Sequence, residues 1–102
     1  MVTLKQLVYF LVLAKVGSYR EAAKACGVTQ STLSLMIQRL EENLGVTLFE
    51  RAHNPIRLTP IGLRLKSHAR IIVRNANQMQ ALAQECKEDS IQLESEERVH
   101  TM

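Results

Sequence analysis

The chain has 102 residues, 46% of them hydrophobic and only 4% aromatic, with no Trp and a formal net charge of +3. That length holds one small domain, or a smaller one with an appendage, and the scarcity of aromatics excludes a stacking surface for single-stranded nucleic acid. Charge is uneven: residues 1–70 carry ten Lys/Arg against four Asp/Glu (net +6), residues 71–102 three against six (net −3), so the front half suits phosphate and the rear does not.

Leu4, Leu7, Val8, Leu11 and Ala14 or Lys15 follow a helical period, which predicts a first helix from residue 3 to about residue 16, with Phe10 joining its apolar face. Gly17 ends it. Ser18-Tyr19-Arg20-Glu21 is a capping-box pattern, Ser18 as N-cap and Glu21 reaching back, so helix two begins near Tyr19 and runs to Cys26. Ala22 and Ala23 supply the small contact that two steeply crossing helices need. Gly27 supplies a turn at positive φ, and Val28 plugs the corner. Thr29 caps a third helix from Gln30 to Leu44, where Leu33, Ile37, Leu40 and Leu44 make one core-facing stripe and Gly45 the stop.

The other face of that helix carries Gln30, Ser31, Ser34, Leu35 and Gln38. Gln can pair bidentately with adenine, and Ser or Thr reaches bases or phosphates. On a lone amphipathic helix these would be solvated polar positions. Behind an Ala-rich helix and a Gly turn they form the reading face of a helix-turn-helix, whose partner is double-stranded DNA.

After Gly45, residues 46–51 and 56–58 are β-prone and separated by Ala52-His53-Asn54-Pro55, which predicts a small hairpin or extended wing. Pro55 removes a ladder bond, so the strands are short. Thr59 and Pro60 then open a last helix as N-cap and first helical residue, and the pattern stays helical to about Lys87, a rod of roughly 40 Å. Along it Leu65, Ile72, Met79 and Cys86 fall at intervals of seven, with Ala69, Ala76 and Ala83 between them. Such a seam lets a second helix approach closely, or packs on its own domain; the helix overshoots the small core before it, which favours a homodimer. The heptad does not fix direction, although the Ala positions favour close antiparallel pairing. From Glu88 to Arg98 the chain either prolongs the helix, with Leu93 continuing the series, or forms a disordered tail. The fold class is therefore mainly α: a winged helix-turn-helix over residues 1–58, a linker and dimerisation helix over 59–90, and a charged, partly disordered tail over 91–102.

Cys26 and Cys86 form neither a disulfide framework nor a metal-ligand spacing, which points to a reducing cytosol, with Cys26 a buried core thiol. The longest apolar run, Leu7 to Ala14, is too short for a membrane span and lacks the flanks of a signal peptide. His53, His68 and His100 are scattered, no carboxylates sit at a catalytic spacing, and no Gly-rich loop is present, so no enzyme, cofactor or metal site is expected. His53 is a solvated loop residue that, in a wing, has access to the minor groove.

Residues 4–70 closely resemble the DNA-binding domain of LysR-type transcriptional regulators, a bacterial family. The resemblance runs from Leu4-x-x-Leu7-x-Tyr9-Phe10 through Gly17-Ser18-Tyr19-x-x-Ala22-Ala23 and Val28 to Ser34. It continues through Arg39-Leu40-Glu41-Glu42-x-Leu44-Gly45-Val46-x-Leu48-Phe49-Glu50-Arg51 to Leu58-Thr59-x-x-Gly62. It implies a winged helix-turn-helix with a linker helix that pairs antiparallel in a homodimer. It also implies DNA contacts from Gln30, Ser31, Thr32 and Ser34, wing contacts from Arg51 to Asn54 and Arg57, and phosphate contacts from Ser18 and Tyr19. Thr29, Leu35, Gln38 and His53 complete the expected interface. Two departures stand out. The family usually has Pro at Ser31, and a basic or amide pair at Leu35 and Met36; Leu35 either packs on a thymine methyl, or weakens binding or faces a partner. The stretch from Glu88 to Met102 does not look like the opening strand of an effector domain, so the chain is a fragment or a stand-alone member, and assembly beyond a dimer would need that domain. The competing reading is a heterodimerisation module that no longer binds DNA.

Overall fold

A computed structural model describes residues 1–100, with side chains described through Ser90. The elements run α1 (Leu4–Val16), α2 (Tyr19–Cys26), α3 (Gln30–Leu44), β1 (Phe49–Glu50), β2 (Arg57–Leu58) and α4 (Pro60–His100). The strands form one antiparallel pair in which Phe49 faces Leu58 and Glu50 faces Arg57.

Helix starts follow the caps. Thr29 Oγ1 accepts the Thr32 N–H at 3.1 Å and opens α3. Ser18 Oγ accepts the Glu21 N–H at 3.3 Å, but Glu21 is exposed and makes only this half of the expected box. The full reciprocal box stands at α1, where Thr3 Oγ1 accepts the Gln6 N–H and Gln6 Oε1 accepts the Thr3 N–H, both at 3.1 Å. Thr59 Oγ1 accepts the Gly62 N–H at 3.0 Å and donates to the Thr47 carbonyl at 2.7 Å, so one hydroxyl caps α4 and holds the chain that precedes the wing.

The core is built around α1, which packs on α2, α3 and α4. Leu7, Phe10 and Leu13 meet Ala22 and Ala23 of α2 and Leu33, Ile37 and Leu40 of α3. Each such large side chain, once buried, stabilises the fold by roughly 1.5–3 kcal/mol. Phe49 brings the hairpin in, its ring edge-on to Phe10 with centroids 5.6 Å apart. The predicted α3 stripe is buried at Leu33, Ile37 and Leu40 and 36% exposed at Leu44, whereas the buried face of α1 is Gln6, Leu7, Tyr9, Phe10 and Leu13, turned from the predicted stripe, of which Val8, Leu11 and Ala14 are only half-buried and Leu4 is 41% exposed. Leu44 lies in the last turn of α3, where the stripe outlasts the core.

Two glycines hold the wing close. Gly17 has φ +69°, and a Cβ there would lie 2.9 Å from Pro55 Cβ; its carbonyl accepts the Ile56 N–H at 2.9 Å. Gly62, at the start of α4, lies against the Leu48 carbonyl, which any side chain would strike. The strands are shorter than the β-prone residues predict because other groups claim the backbone of residues 46–48. The Val46 N–H goes to the Glu41 carbonyl, the Leu48 N–H to the Glu41 carboxylate, and the Thr47 carbonyl to Thr59.

Past Lys87 α4 continues to His100, the first of the two alternatives the sequence leaves for Glu88 to Arg98. No Gly or Pro follows Gly62 along it. Leu65, Ala69 and Val73 pack on the core, and from Asn77 to Ser90 every side chain is exposed. The expected charged tail over 91–102 falls on residues whose side chains, and for 101–102 whose backbone, lie outside the described residues.

Candidate nucleic-acid interface

The reading face is continuous. Gln30, Ser31, Ser34, Leu35 and Gln38 are all exposed and together line an open depression of about 520 Å³ on α3. This follows from Leu33, Ile37 and Leu40 holding the opposite side of the helix in the core. Thr32 lies beside the depression, and its hydroxyl oxygen accepts from Thr29 Oγ1 at 2.9 Å, leaving the Thr32 proton free to point outward. Thr29 itself is occupied as a cap. Leu35 is 45% exposed within this polar surface, whereas Met36 turns inward against the core, so of that pair only Leu35, together with Ser31, departs from the family on this face.

Beside α3 stand the start of α2 and the wing. The Tyr19 hydroxyl is enclosed and has no hydrogen-bond partner in the DNA-free chain; Ser18 is partly exposed. The Tyr19 ring lies under the Arg51 guanidinium, 5.9 Å from centroid to carbon. Burial raises the Tyr19 pKa, against the lowering pull of Arg51.

Both wing arginines have carboxylate partners. Arg51 bonds Glu41 Oε2 at 3.2 Å, and Arg57 bonds Glu50 Oε2 at 3.1 Å while its other nitrogen lies 2.9 Å from His53 Nε2. Their side chains remain 50% and 63% exposed, so each guanidinium keeps donors for a further acceptor at reduced net charge. His53 lies 3.5 Å from the same Glu50 oxygen, and Asn54 is exposed at the tip. Sequence reasoning passed over Glu41. A carboxylate one turn before a Gly stop, with an Arg ten residues on, was the available signal.

The profile described as "Bacterial regulatory helix-turn-helix protein, lysR family" matches residues 4–63. The chain belongs to the lysR family. Among relatives of this lysR-family chain, the HTH-type transcriptional regulator EstR of Acinetobacter baylyi is 40% identical over 86 residues, 84% of this chain and 29% of that protein. The hydrogen peroxide-inducible genes activator of Pectobacterium carotovorum is 38% identical over 80 residues, 78% of this chain and 26% of that one. The chain thus spans less than a third of either of these two regulators. Among solved structures, the BenM DBD complex with benA site 1 DNA superposes with a TM-score of 0.79 at 33% identity, covering 82% of this chain and 94% of that one. Vibrio fischeri DarR in complex with DNA gives 0.76 at 39% identity, covering 88% and 30%. The winged helix-turn-helix architecture is shared with both, and the matched relatives are regulators rather than enzymes.

The expected dimer seam of this lysR-family chain divides. Ala69 is 2% exposed inside the core and Leu65 packs against it, because α1 reaches this part of α4 first; Ala76 is partly buried. Ile72, Met79, Ala83 and Cys86 are exposed. Cys26 is partly buried against the core, and burial raises its pKa. Among the described residues no three His, Cys, Asp or Glu side chains gather as a metal would require, and no helix is long and apolar enough to cross a membrane.

Proposed function

We propose that this lysR-family chain binds double-stranded DNA sequence-specifically as a homodimer and serves transcriptional regulation in the bacterial cytosol. The observation that carries the reading is the depression lined by Gln30, Ser31, Ser34, Leu35 and Gln38, an exposed helix face rich in amide and hydroxyl groups. Gln30 and Gln38 pair with base edges, Ser31, Thr32 and Ser34 reach bases or the nearest phosphates, and Leu35 meets a thymine methyl. Ser18, Arg51, His53, Asn54 and Arg57 flank that face and set its register on the backbone. That two of the similar solved structures are DNA complexes supports the same reading.

A single α3 covers one half-site. Pairing of two copies through α4 gives the assembly two-fold symmetry, so its site is a pseudo-palindrome with half-sites about one helical turn, or a multiple of it, apart. The two free cysteines accord with a reducing compartment.

Anisotropy titration of labelled genomic duplexes, at several salt concentrations and against random-sequence duplex, tests the reading. A subset of fragments should bind far more tightly than random DNA. Binding no tighter than to random DNA, together with capture of a full-length relative, would establish the heterodimerisation module instead.

A further inference from the structure

Between α1 and α4 runs an open groove that shares no residue with the reading depression on α3. It consists of two adjoining hollows of about 430 and 470 Å³ that have Leu11 and Arg70 in common. Half-buried Leu11, Ala14 and Val73 form its floor, and Lys15, Lys66, Arg70 and Arg74 stand along it. Neither helix supplies a counterion there: no Asp or Glu occurs from Leu4 to Val16 or from Pro60 to Gln84. The ion pairs among the described residues all belong to Glu41 and Glu50, and none includes these four cations. Lys66, Arg70 and Arg74 moreover follow one another at intervals of four, so like charges lie one turn apart, which destabilises a helix unless something anionic lies against them.

We propose that this groove docks an acidic amphipathic helix of a different protein, with its apolar face on Leu11, Ala14 and Val73 and its carboxylates against the four cations. From Lys66 to Ala81 the groove follows α4 for about 22 Å, the length of about four helical turns. Carboxylates three or four residues apart on a helix meet cations that are themselves one turn apart, and its leucines or valines cover a floor that this chain leaves half-open. Double-stranded DNA meets the first condition and not the second. Its phosphates answer the charge but have nothing apolar to lay on Leu11 and Val73.

This partner competes with neither DNA nor a second copy. Gln30, Ser31, Ser34, Leu35 and Gln38 all lie outside the groove. At about 100° per residue, Ile72 and Met79 lie about 160° and 180° around α4 from Arg70, so a second copy seated on that seam leaves the groove open. The charges also differ in kind from those of the wing. Arg51 and Arg57 are already shared with carboxylates, whereas the four groove cations keep their full charge for an incoming partner, which favours fast encounter with an acidic one.

The test uses a fluorescein-labelled synthetic helix of about 16 residues, with Leu at spacings of three and four and Glu on both flanks of that stripe. Anisotropy of this peptide titrated with the full chain at low salt gives the affinity, and amide chemical-shift mapping of the chain gives the location. Saturable binding is expected, with shifts centred on Leu11, Lys15 and the stretch from Lys66 to Ala81. A scrambled peptide of the same composition should bind on the order of tenfold more weakly, because it lacks the apolar stripe. Arg70→Glu with Arg74→Glu should weaken binding of the ordered peptide on the order of tenfold or more, whereas Arg70→Lys with Arg74→Lys should stay within about threefold. All four positions changed are exposed in the free chain or conservative, and circular dichroism establishes that each variant keeps its helices. Equal binding of the scrambled peptide, shifts elsewhere, or no binding at all would overturn the proposal. So would a peptide that fails to bind while the charge-reversed variant loses affinity for random-sequence duplex, which would assign the groove to phosphate. Self-association lost in that variant by sedimentation equilibrium would assign the groove to a second copy and overturn the proposal likewise.

Discussion

Glu41 and Arg51 are joined across the corner between α3 and the wing: the guanidinium donates to Glu41 Oε2 at 3.2 Å while Glu41 Oε1 accepts the Leu48 N–H at 2.9 Å. One carboxylate thereby fixes where the wing leaves the reading helix. The two bonds differ in worth, because the Arg51 side chain is half exposed whereas the Leu48 amide belongs to a fully buried residue. Glu41→Ala strands that amide and should cost about 1–3 kcal/mol. Glu41→Gln keeps an acceptor for it and loses only the ionic component, about 1 kcal/mol or less. Urea denaturation of the two variants checks this; equal shifts in midpoint would mean that the ion pair, and not the amide bond, holds the corner.

Tyr19 yields a prediction of opposite sign to the one its sequence position suggests. Its hydroxyl is enclosed without a partner, so Tyr19→Phe removes an unsatisfied polar group and should raise stability by about 1 kcal/mol. The ring remains under Arg51, and DNA affinity should be unchanged. A fall in affinity on all sequences would show instead that the hydroxyl turns outward to reach a phosphate in the complex.

What the sequence made legible, and what it did not, follows the range of the forces involved. The bounds of α2 and α3 were readable because caps and glycines act within a turn: Ser18, Thr29, Gly27 and Gly45 all stand where their local chemistry places them. The wing strands were overestimated because Val46 to Leu48 look β-prone, and nothing local reveals that Glu41 and Thr59 claim their backbone groups. The exposure of Gln30, Ser31, Ser34, Leu35 and Gln38 was readable as the complement of a buried stripe. The orientation of Tyr19 was not, since it depends on where Arg51 comes to rest after a hairpin. The seam on α4 is only partly free for a similar reason: a heptad says which residues share a face but not which neighbour takes it, and α1 takes Leu65 and Ala69.

Gln30 and Arg51 should separate specificity from affinity. Gln30 opens α3 at the edge of the depression, and Gln30→Ala should cost about 1–3 kcal/mol on a specific site while relaxing preference at one base position of each half-site. Arg51 stands outside that face. Arg51→Ala should weaken binding on all sequences alike and reduce the dependence of log K on log salt by about one for each copy bound. Anisotropy titrations on specific and random duplexes give both quantities. An unchanged slope would mean that Arg51 stays with Glu41 in the complex and that Arg57 carries the wing's phosphate contact.

Cysteine placement tests the direction of α4 pairing without altering charge. In an antiparallel pair with its axis between Ala76 and Asn77, the two copies of Cys86 would lie about 28 Å apart along the helices at about 1.5 Å per residue, far beyond the roughly 7 Å between Cα atoms that a disulfide spans. Mild oxidation of the wild-type dimer should therefore give no Cys86 crosslink, even though the thiol is exposed. Cys26 does not compete well, since burial raises its pKa and lowers its thiolate fraction. In a Cys86→Ser background, Ile71→Cys combined with Leu82→Cys puts a thiol of each copy against one of the other at two symmetric layers, and should give a covalent dimer on a non-reducing gel. Either substitution alone should not, because like positions lie about 16 Å apart along the axis. Efficient Cys86 crosslinking within the soluble dimer would mean that the helices run parallel.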